Sequence, residues 1–469
     1  MSPSKNIWIA TLGLGSLWAW SYALFPSAGL TTPFAETSAV LNLPDWFMSL
    51  VVGTAVYLVV AFCGRPALFE RGGALLALLG TAAQTVCAVC MLMPAHPGVL
   101  DAASGAAFGA AAGLLWPCWF DVLGAMETED SERVFVFALA MITPLFVLMS
   151  EAPGLVRTTL LFALAFVQLG AYWILVQQRG QMSRNDISAA KEPWPSPAVL
   201  KTQLAHTGVM RMSLCCATAF AFVAFADSCF TYSAIAYLEA SYWLFSIGMI
   251  LGAGLLALFI HFSPRIDVFE SIRWVFPILA FALVLGMLDQ STPVAVAVML
   301  MALCHIAFEG MTRLGILATA KRSKTAFIQV AALGLASISA GAYVGGMVFR
   351  LCSMWVPDVF VLCAFALAAL VALVLILFNG HDSVQKPPAP LPNEALSMIM
   401  AKRYALSPRE TEILGYLIEG RSAPFIRDEL HISKGTVDTH VRHIYEKTGV
   451  SSKQDLITLA NTVRSQSEV

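Results

Sequence analysis

The sequence predicts an all-α protein: a polytopic membrane bundle of twelve helical spans, split six and six, followed by a C-terminal four-helix helix-turn-helix domain. Three observations predict it. The chain has 469 residues, of which 58% are hydrophobic and only 12% charged. Soluble domains carry roughly 45–50% apolar and about 25% charged residues, so the apolar excess is lipid-facing surface, not a larger core. The apolar residues gather in runs of about 20, the length that crosses a bilayer. The charged residues crowd into loops and the C-terminal segment, where short amphipathic helices follow one another with clear start and stop signals.

Membrane-length runs fall near 7–30, 45–64, 73–94, 98–124, 134–153 and 157–177, then near 205–229, 240–262, 271–289, 293–318, 326–350 and 356–379. The first is too long for a signal-peptide core and reads as a retained span. The polar interruption at 178–204 carries Arg179, Arg184, Lys191 and Lys201 and reads as a central cytoplasmic loop. Orientation follows from the basic residues. With the N-terminus inside, the inner flanks hold Lys5, Arg65, Arg71, Arg133, Arg179, Arg184, Lys191, Lys201, Arg211, Arg265, Arg273, Arg313, Lys321, Arg322 and Lys324. The outer flanks hold only Arg157 and Arg350. An even number of spans then places both termini in the cytoplasm, in a cytoplasmic (inner) membrane.

Six spans, a basic loop and six more spans resemble the major facilitator superfamily. The resemblance covers residues 1–379 and is architectural. Between spans two and three that family places a Gly-x-x-x-Asp-Arg-x-Gly-Arg-like loop. Gly64-Arg-Pro-Ala-Leu-Phe-Glu-Arg-Gly-Gly73 keeps glycines and Arg71 but lacks the aspartate–arginine pair in register, which counts against an ordinary transport cycle. Gly105, Gly109 and Gly113 in span four, Gly248 and Gly252 in span eight, and Gly341 and Gly345 in span eleven recur every four residues. That spacing predicts close helix packing.

Ionisable residues at membrane depth are candidate functional groups. Asp121 stands at the end of span four, in Trp116-Pro-Cys-Trp-Phe-Asp121, and Asp227 late in span seven. Span ten carries His305, Glu309 and Arg313, four apart and so on one face. Asp121, Asp227, His305 and Glu309 are the candidate ligand or proton site. The alternative is structural: Glu309 pairs with Arg313 near the interface and Asp121 caps a helix end. Trp18, Trp20, Trp116, Trp119 and Trp243 read as interfacial anchors in preference to cavity lining. Cys87-Ala-Val-Cys90 reads as apolar filler, lacking a His or acidic partner nearby. No catalytic constellation, phosphate-binding loop or metal cluster is evident, so neither an enzyme nor a cofactor is expected.

At 380–393 the composition changes to a Pro-rich linker, Lys386-Pro-Pro-Ala-Pro-Leu-Pro392. In polyproline geometry it spans on the order of 40 Å. The C-terminal domain, 394–469, opens with an amphipathic helix over Glu394–Tyr404 bearing Leu396, Ile399 and Met400. Ser407-Pro-Arg-Glu410 is a capping box with proline at the first helical position. Ile413, Leu414, Leu417 and Ile418 form the buried stripe of that helix, and Gly420 stops it. Ser422 opens a second helix with Ile426 and Leu430 inward. After His431-Ile432, Ser433 caps a third with Val437, Val441 and Ile444 inward. Gly449 ends it, and Ser452 starts a fourth with Leu456 and Leu459. A tight turn between the second and third helices is a helix-turn-helix plan.

Over 404–460 the chain closely resembles the LuxR/NarL-type DNA-binding domain, in Pro408-Arg-Glu410, Leu414, Gly420, Ile426, Leu430, Ser433, Thr436-Val437, His440, Ile444, Lys447, Val450 and Ser452. The resemblance implies that the third helix enters the major groove of double-stranded DNA and that the fourth helix pairs two copies as a homodimer. The core assignment leaves Asp438, Thr439 and Arg442 outward as base readers, with Arg442 suited to guanine and the Thr439 methyl to thymine. Lys434, Thr436, Lys447 and Lys453 are the expected phosphate contacts. Three residues depart from the family: Asp438 replaces a common lysine, Arg427 a small residue, and Phe425 an acid. The region balances seven basic residues against eight acidic ones, so non-specific electrostatic affinity is expected to be weak. The sequence thus points to a membrane-integral transcription regulator of LuxR type whose transporter-like domain senses an unknown small molecule or membrane state. The alternative is a secondary transporter with an appended regulatory domain.

Overall fold

The structure is a computed structural model that describes residues 3–24, 45–63, 66–92, 98–151, 154–183, 208–234, 238–262, 268–288, 291–323, 327–356, 358–379, 393–450 and 452–467. It divides into two compact units, Met1–Ala372 and Leu373–Val469. The Pro-rich linker and most of the central loop lie outside the described residues.

Among the described residues the first unit contains twelve helices, one for each expected span. The first six are α1 (Pro3–Leu24), α2 (Asp45–Cys63), α3 (Pro66–Leu92), α4 (Gly98–Gly124), α5 (Thr128–Glu151) and α6 (Gly154–Ser183). The second six are α7 (Val209–Ala234), α8 (Leu238–Phe262), α9 (Val268–Gly286), α10 (Ser291–Arg322), α11 (Phe327–Trp355) and α12 (Val359–Asn379). Eight are long and apolar enough to cross a membrane, and α2, α9 and α12 contain shorter apolar stretches. The remaining helix, α1, mixes Thr11, Ser16, Ser21 and Tyr22 among its apolar residues and turns Leu14, Leu17 and Trp18 fully inward. The boundary between units falls within α12, upstream of the expected boundary at 379.

Helix pairing repeats between the halves. α2 packs on α4 as α8 packs on α10, and α1 packs on α5 as α7 packs on α11. The halves meet where α2 packs on α11 and α5 on α8. The four-residue glycine repeats set these distances. A Cβ on Gly109 would collide with the Ser49 carbonyl of α2, and one on Gly248 with the Met299 carbonyl of α10. At Gly341 and Gly345 it would strike the backbone of α7 at Ala217 and Ala221. In lipid, where apolar burial drives helices together only weakly, such backbone proximity is a main source of association.

Four of the five tryptophans expected as interfacial anchors are instead buried inside the protein. Trp18, Trp20, Trp116 and Trp119 are at most 2% exposed, whereas Trp243 is 61% exposed. Burial satisfies two of the interior indoles: Trp18 donates to Glu309 and Trp119 to Gln168. Gln168 donates on to Thr81 over 2.8 Å, tying α6 to α3. The interfacial reading fits Trp243 alone of the five.

The second unit contains α13 (Asn393–Tyr404), α14 (Pro408–Ile418), α15 (Ala423–Glu429), α16 (Lys434–Thr448) and α17 (Lys453–Ser467). Its core joins Leu396 and Met400 of α13, Ile413, Leu414 and Leu417 of α14, Ile426, Val437, Ile444, and Leu456, Ala460 and Val463 of α17. Ile418, Leu430, Val441 and Leu459 pack at its edge, half-buried. The expected caps form. Ser407 and Glu410 close both arms of the capping box, Ser433 accepts from the Thr436 amide, and Gly449 takes φ +71° at the end of α16. Ser422 precedes α15 without a side-chain cap bond.

Candidate functional sites

The membrane unit brings ionisable groups together at its centre. His305, Glu309 and Arg313 lie one turn apart on a single face of α10. The Glu309 carboxylate accepts from Trp18 Nε1 over 3.1 Å, from the Tyr22 hydroxyl and from Arg313 Nη1. A buried carboxylate requires such donors, and here two come from α1 in the other half. The Arg313 guanidinium lies 4.1 Å from the Trp116 ring centre and 5.5 Å from that of Trp18, in cation–π geometry. Its Nε–H is buried with no hydrogen-bond partner. His305 Nδ1 is 2.7 Å from Asp227 Oδ2 on α7, and its Nε2 is 3.9 Å from Glu309 Oε2. Four helices, two from each half, therefore meet in one cluster.

The cluster is graded in exposure. Glu309 and Arg313 side chains are 11% and 10% exposed, those of Asp227 and His305 24% and 23%. Three of the four candidate residues, Asp227, His305 and Glu309, thus share one site. Asp121 stands half-buried on α4, five residues past Trp116. The pairing of Glu309 with Arg313 is real, but it lies in the interior, contrary to an interfacial pair. Tyr22, Trp18 and Trp116 are the members that sequence reasoning missed. Their signal was the density of Trp and Tyr in spans one and four. Near the ends of α4 and α10, Lys321 Nζ donates to the Met126 carbonyl over 3.0 Å and to Ser131 Oγ over 2.8 Å, a second link between halves.

In the C-terminal unit, α16 presents one face to solvent and buries the other. Lys434, Thr436, Asp438, Thr439 and Arg442 are exposed along it, while Val437 and Ile444 are buried. Thr439 Oγ1 donates to the Gly435 carbonyl over 2.8 Å, so its hydroxyl is spent on the helix. Arg442 lies 3.8 Å from Glu446 at the surface. Arg427 reaches outward to Asp428, and Phe425 lies under the Arg421 guanidinium, 4.7 Å from its ring centre. The tight turn places His431 at φ +48°, a left-handed conformation that His tolerates better than bulkier residues.

Two expected phosphate contacts are engaged within the domain. Lys447 Nζ donates to Glu410 Oε2 over 2.7 Å and to the Ala405 carbonyl over 3.2 Å. Lys453 Nζ donates to the carbonyls of Gly420 and Arg421, over 2.6 and 2.7 Å. Both lysines tie secondary elements together. Lys447, with the Ser407 amide and hydroxyl, holds the Glu410 carboxyl down at about 2 despite the opposing effect of burial. Glu410 thus closes the capping box of α14 and also braces α16. The second role joins residues 37 positions apart, beyond the reach of local motif reading.

The two units define a class of protein: a multi-pass membrane protein that carries a helix-turn-helix module. Residues 404–460 match the bacterial regulatory proteins of the luxR family. The chain is 48% identical over 48 residues to the probable transcriptional regulatory protein NarL of Mycobacterium tuberculosis, covering 10% of this chain and 22% of that protein. It is 38% identical over 55 residues to the HTH-type transcriptional regulator MalT of Yersinia enterocolitica, covering 12% and 6%. The chain thus spans less than a quarter of either relative. In fold it is similar to the human organic anion transporter MFSD10 (TETRAN), with TM-score 0.56, 10% identity, and 80% of this chain and 100% of that one covered. It is likewise similar to a bacterial homologue of the iron transporter ferroportin, with TM-score 0.53, 14% identity, and 80% and 98% covered. Residues 404–460 form a luxR-type helix-turn-helix domain, and the membrane unit shares the fold of these solved transporters.

Proposed function

We propose that this protein is a membrane-resident transcription regulator: α16 reads DNA, and the central cluster of the membrane unit receives the signal. The observation that carries the reading is the C-terminal unit. Its caps, turn and core are intact, and its outer face offers Lys434, Thr436, Asp438, Thr439 and Arg442. Arg442 reads guanine, the Thr439 methyl meets thymine, and Asp438 accepts from a cytosine amino group. Lys434 and Thr436 hold phosphates. Lys447 and Lys453 reach the backbone only by giving up internal bonds. Binding by full-length protein in lipid nanodiscs to DNA selected from a random pool tests this. Arg442→Ala is expected to weaken selected sites by roughly 10- to 100-fold; equal affinity for all sequences contradicts it.

The positive-inside distribution of basic residues supports an inner-membrane location with both termini cytoplasmic. The likeness of residues 404–460 to luxR-family regulators supports a homodimer that pairs through α17 on a two-fold related site. A cysteine placed on exposed Thr458 would report such pairing by crosslinking in the membrane.

The major facilitator fold supports a second reading, a secondary transporter with an attached regulatory domain. Glu309, Asp227 and His305 are then its coupling groups. Glu309→Gln separates the readings: abolished substrate uptake with unchanged gene regulation favours transport.

A further inference from the structure

We propose that Cys229 and Cys363 are a reversible modification site, oxidised to a disulfide by a lipid-soluble quinone. The two thiols are far apart in the sequence, on α7 and α12, yet they hydrogen-bond to each other. Both are buried, at 0% and 2% exposure. A disulfide holds its Cβ atoms roughly 4 Å apart, a separation that thiols in hydrogen-bond contact already approach, so closing the bond demands little movement. A third thiol, Cys352 near the end of α11, is half-buried and near enough to Cys229 to interact with it electrostatically. Cys87 and Cys90, by contrast, lie within the single helix α3, where a bond would join no two spans.

The oxidant is assigned from the surroundings. An apolar cavity of about 260 Å³ opens beside Cys352, lined by Leu351, Cys352, Trp355 and Val356 and by Leu362 and Phe365 of α12. Trp355 is 85% exposed and Phe365 62%, so on a membrane-spanning bundle this cavity faces lipid. Leu362 is the immediate neighbour of Cys363. An apolar oxidant dissolved in the bilayer thus approaches the dithiol along an apolar path, whereas a water-borne oxidant must cross that wall. The step balances: both S–H bonds break, one S–S bond forms, and two electrons and two protons pass to the quinone, which leaves as the quinol. Within the pair one thiol donates to the other sulfur, which stabilises the negative charge that develops there during attack.

Among the described residues α12 has the sparsest backbone packing of the twelve spans, so a covalent bond to α7 is a large addition to what holds it. It is also the span from which the chain runs into the Pro-rich segment, and Cys229 stands two residues beyond Asp227 on α7. Closing the bond excludes every arrangement that separates α7 from α12 and shifts the population toward the remainder. The pair lies toward the end of α12 away from the Pro-rich segment. In the orientation that the basic residues favour, this is the outer half of the membrane, remote from the reductants of the cytoplasm. The inference does not depend on DNA binding.

The test is peptide mapping by mass spectrometry of the full-length chain, first reduced and then held in lipid nanodiscs with decylubiquinone, whose fully substituted ring forms no stable thioether. A peptide linked through Cys229 and Cys363 is expected in most molecules, with one quinol formed per bond and reversal by dithiothreitol. Cys229→Ala and Cys363→Ala should each abolish the linked peptide and the quinol together. Hydrogen peroxide, supplied from water in place of the quinone, is the comparison. Faster linkage by the quinone is the predicted result, and linkage by peroxide at an equal or greater rate overturns the assignment of the oxidant. The whole proposal falls if quinone treatment leaves both thiols reactive toward maleimide after unfolding, or joins either of them to a different cysteine. The wild-type map decides these outcomes even where a variant fails to fold.

Discussion

Glu410 shows how much a single residue does in the C-terminal unit. It accepts from the Ser407 amide over 2.7 Å, from Lys447 over the same distance, and lies 3.7 Å from His443. Its carboxyl, held near 2 chiefly by Lys447, lies below its unfolded value, so its contribution is present above about pH 4.5 and is lost as pH falls toward 2. Glu410→Gln is expected to cost about 2 kcal/mol, the scale of a hydrogen bond to a charged group, and to flatten the acid limb of the domain's unfolding curve. Retention of that limb in the variant would show that another group sets it. Lys434→Ala should weaken all DNA sequences alike and reduce the salt slope by about one, in contrast to Arg442→Ala. A sequence-selective defect from Lys434→Ala would reverse the assigned roles.

Helices in the membrane unit are placed by what they lack. α7 and α11 touch along Gly341 and Gly345, where any side chain would meet the backbone of Ala217 or Ala221. Gly345→Leu should therefore separate that pair and sharply reduce folded protein recovered in mild detergent. Exposed Gly254, with no atoms within 4 Å of a Cβ, is the control, and Gly254→Leu should accumulate normally. Much of this was legible in the sequence. Length and hydropathy locate every helix, and the four-residue glycine spacing identifies the tight contacts, because both signals are local and periodic. The burial of Trp18 and Trp116 was not legible. Composition alone does not tell an indole that needs a headgroup from one that needs Glu309 or Arg313, and these partners lie far away in sequence. The same limit hid the Lys447–Glu410 brace, while caps such as Ser433 on Thr436, three residues apart, were evident.

At the scale of the whole chain, the membrane unit and the DNA-reading unit are separate compact bodies joined through a Pro-rich segment. A small ligand must favour one state of the membrane unit by about 5.5 kcal/mol to take it from 1% to 99% populated. The Glu309 cluster and the Lys321 link are contacts between halves that such a change would have to remake. Lys321→Met should thus alter the signal needed for half-maximal reporter expression without altering DNA affinity in vitro; a change in DNA affinity would place Lys321 outside the switch. Near-balanced charge over 404–460 predicts weak general attraction to DNA. The most direct test of a membrane-resident DNA reader is chromatin immunoprecipitation of the intact protein, with membrane fractionation and Arg442→Ala in parallel. Discrete genomic peaks from uncleaved, membrane-bound protein that vanish in the variant are the predicted result. Peaks absent under every growth condition, or obtained only from a released C-terminal fragment, would contradict it.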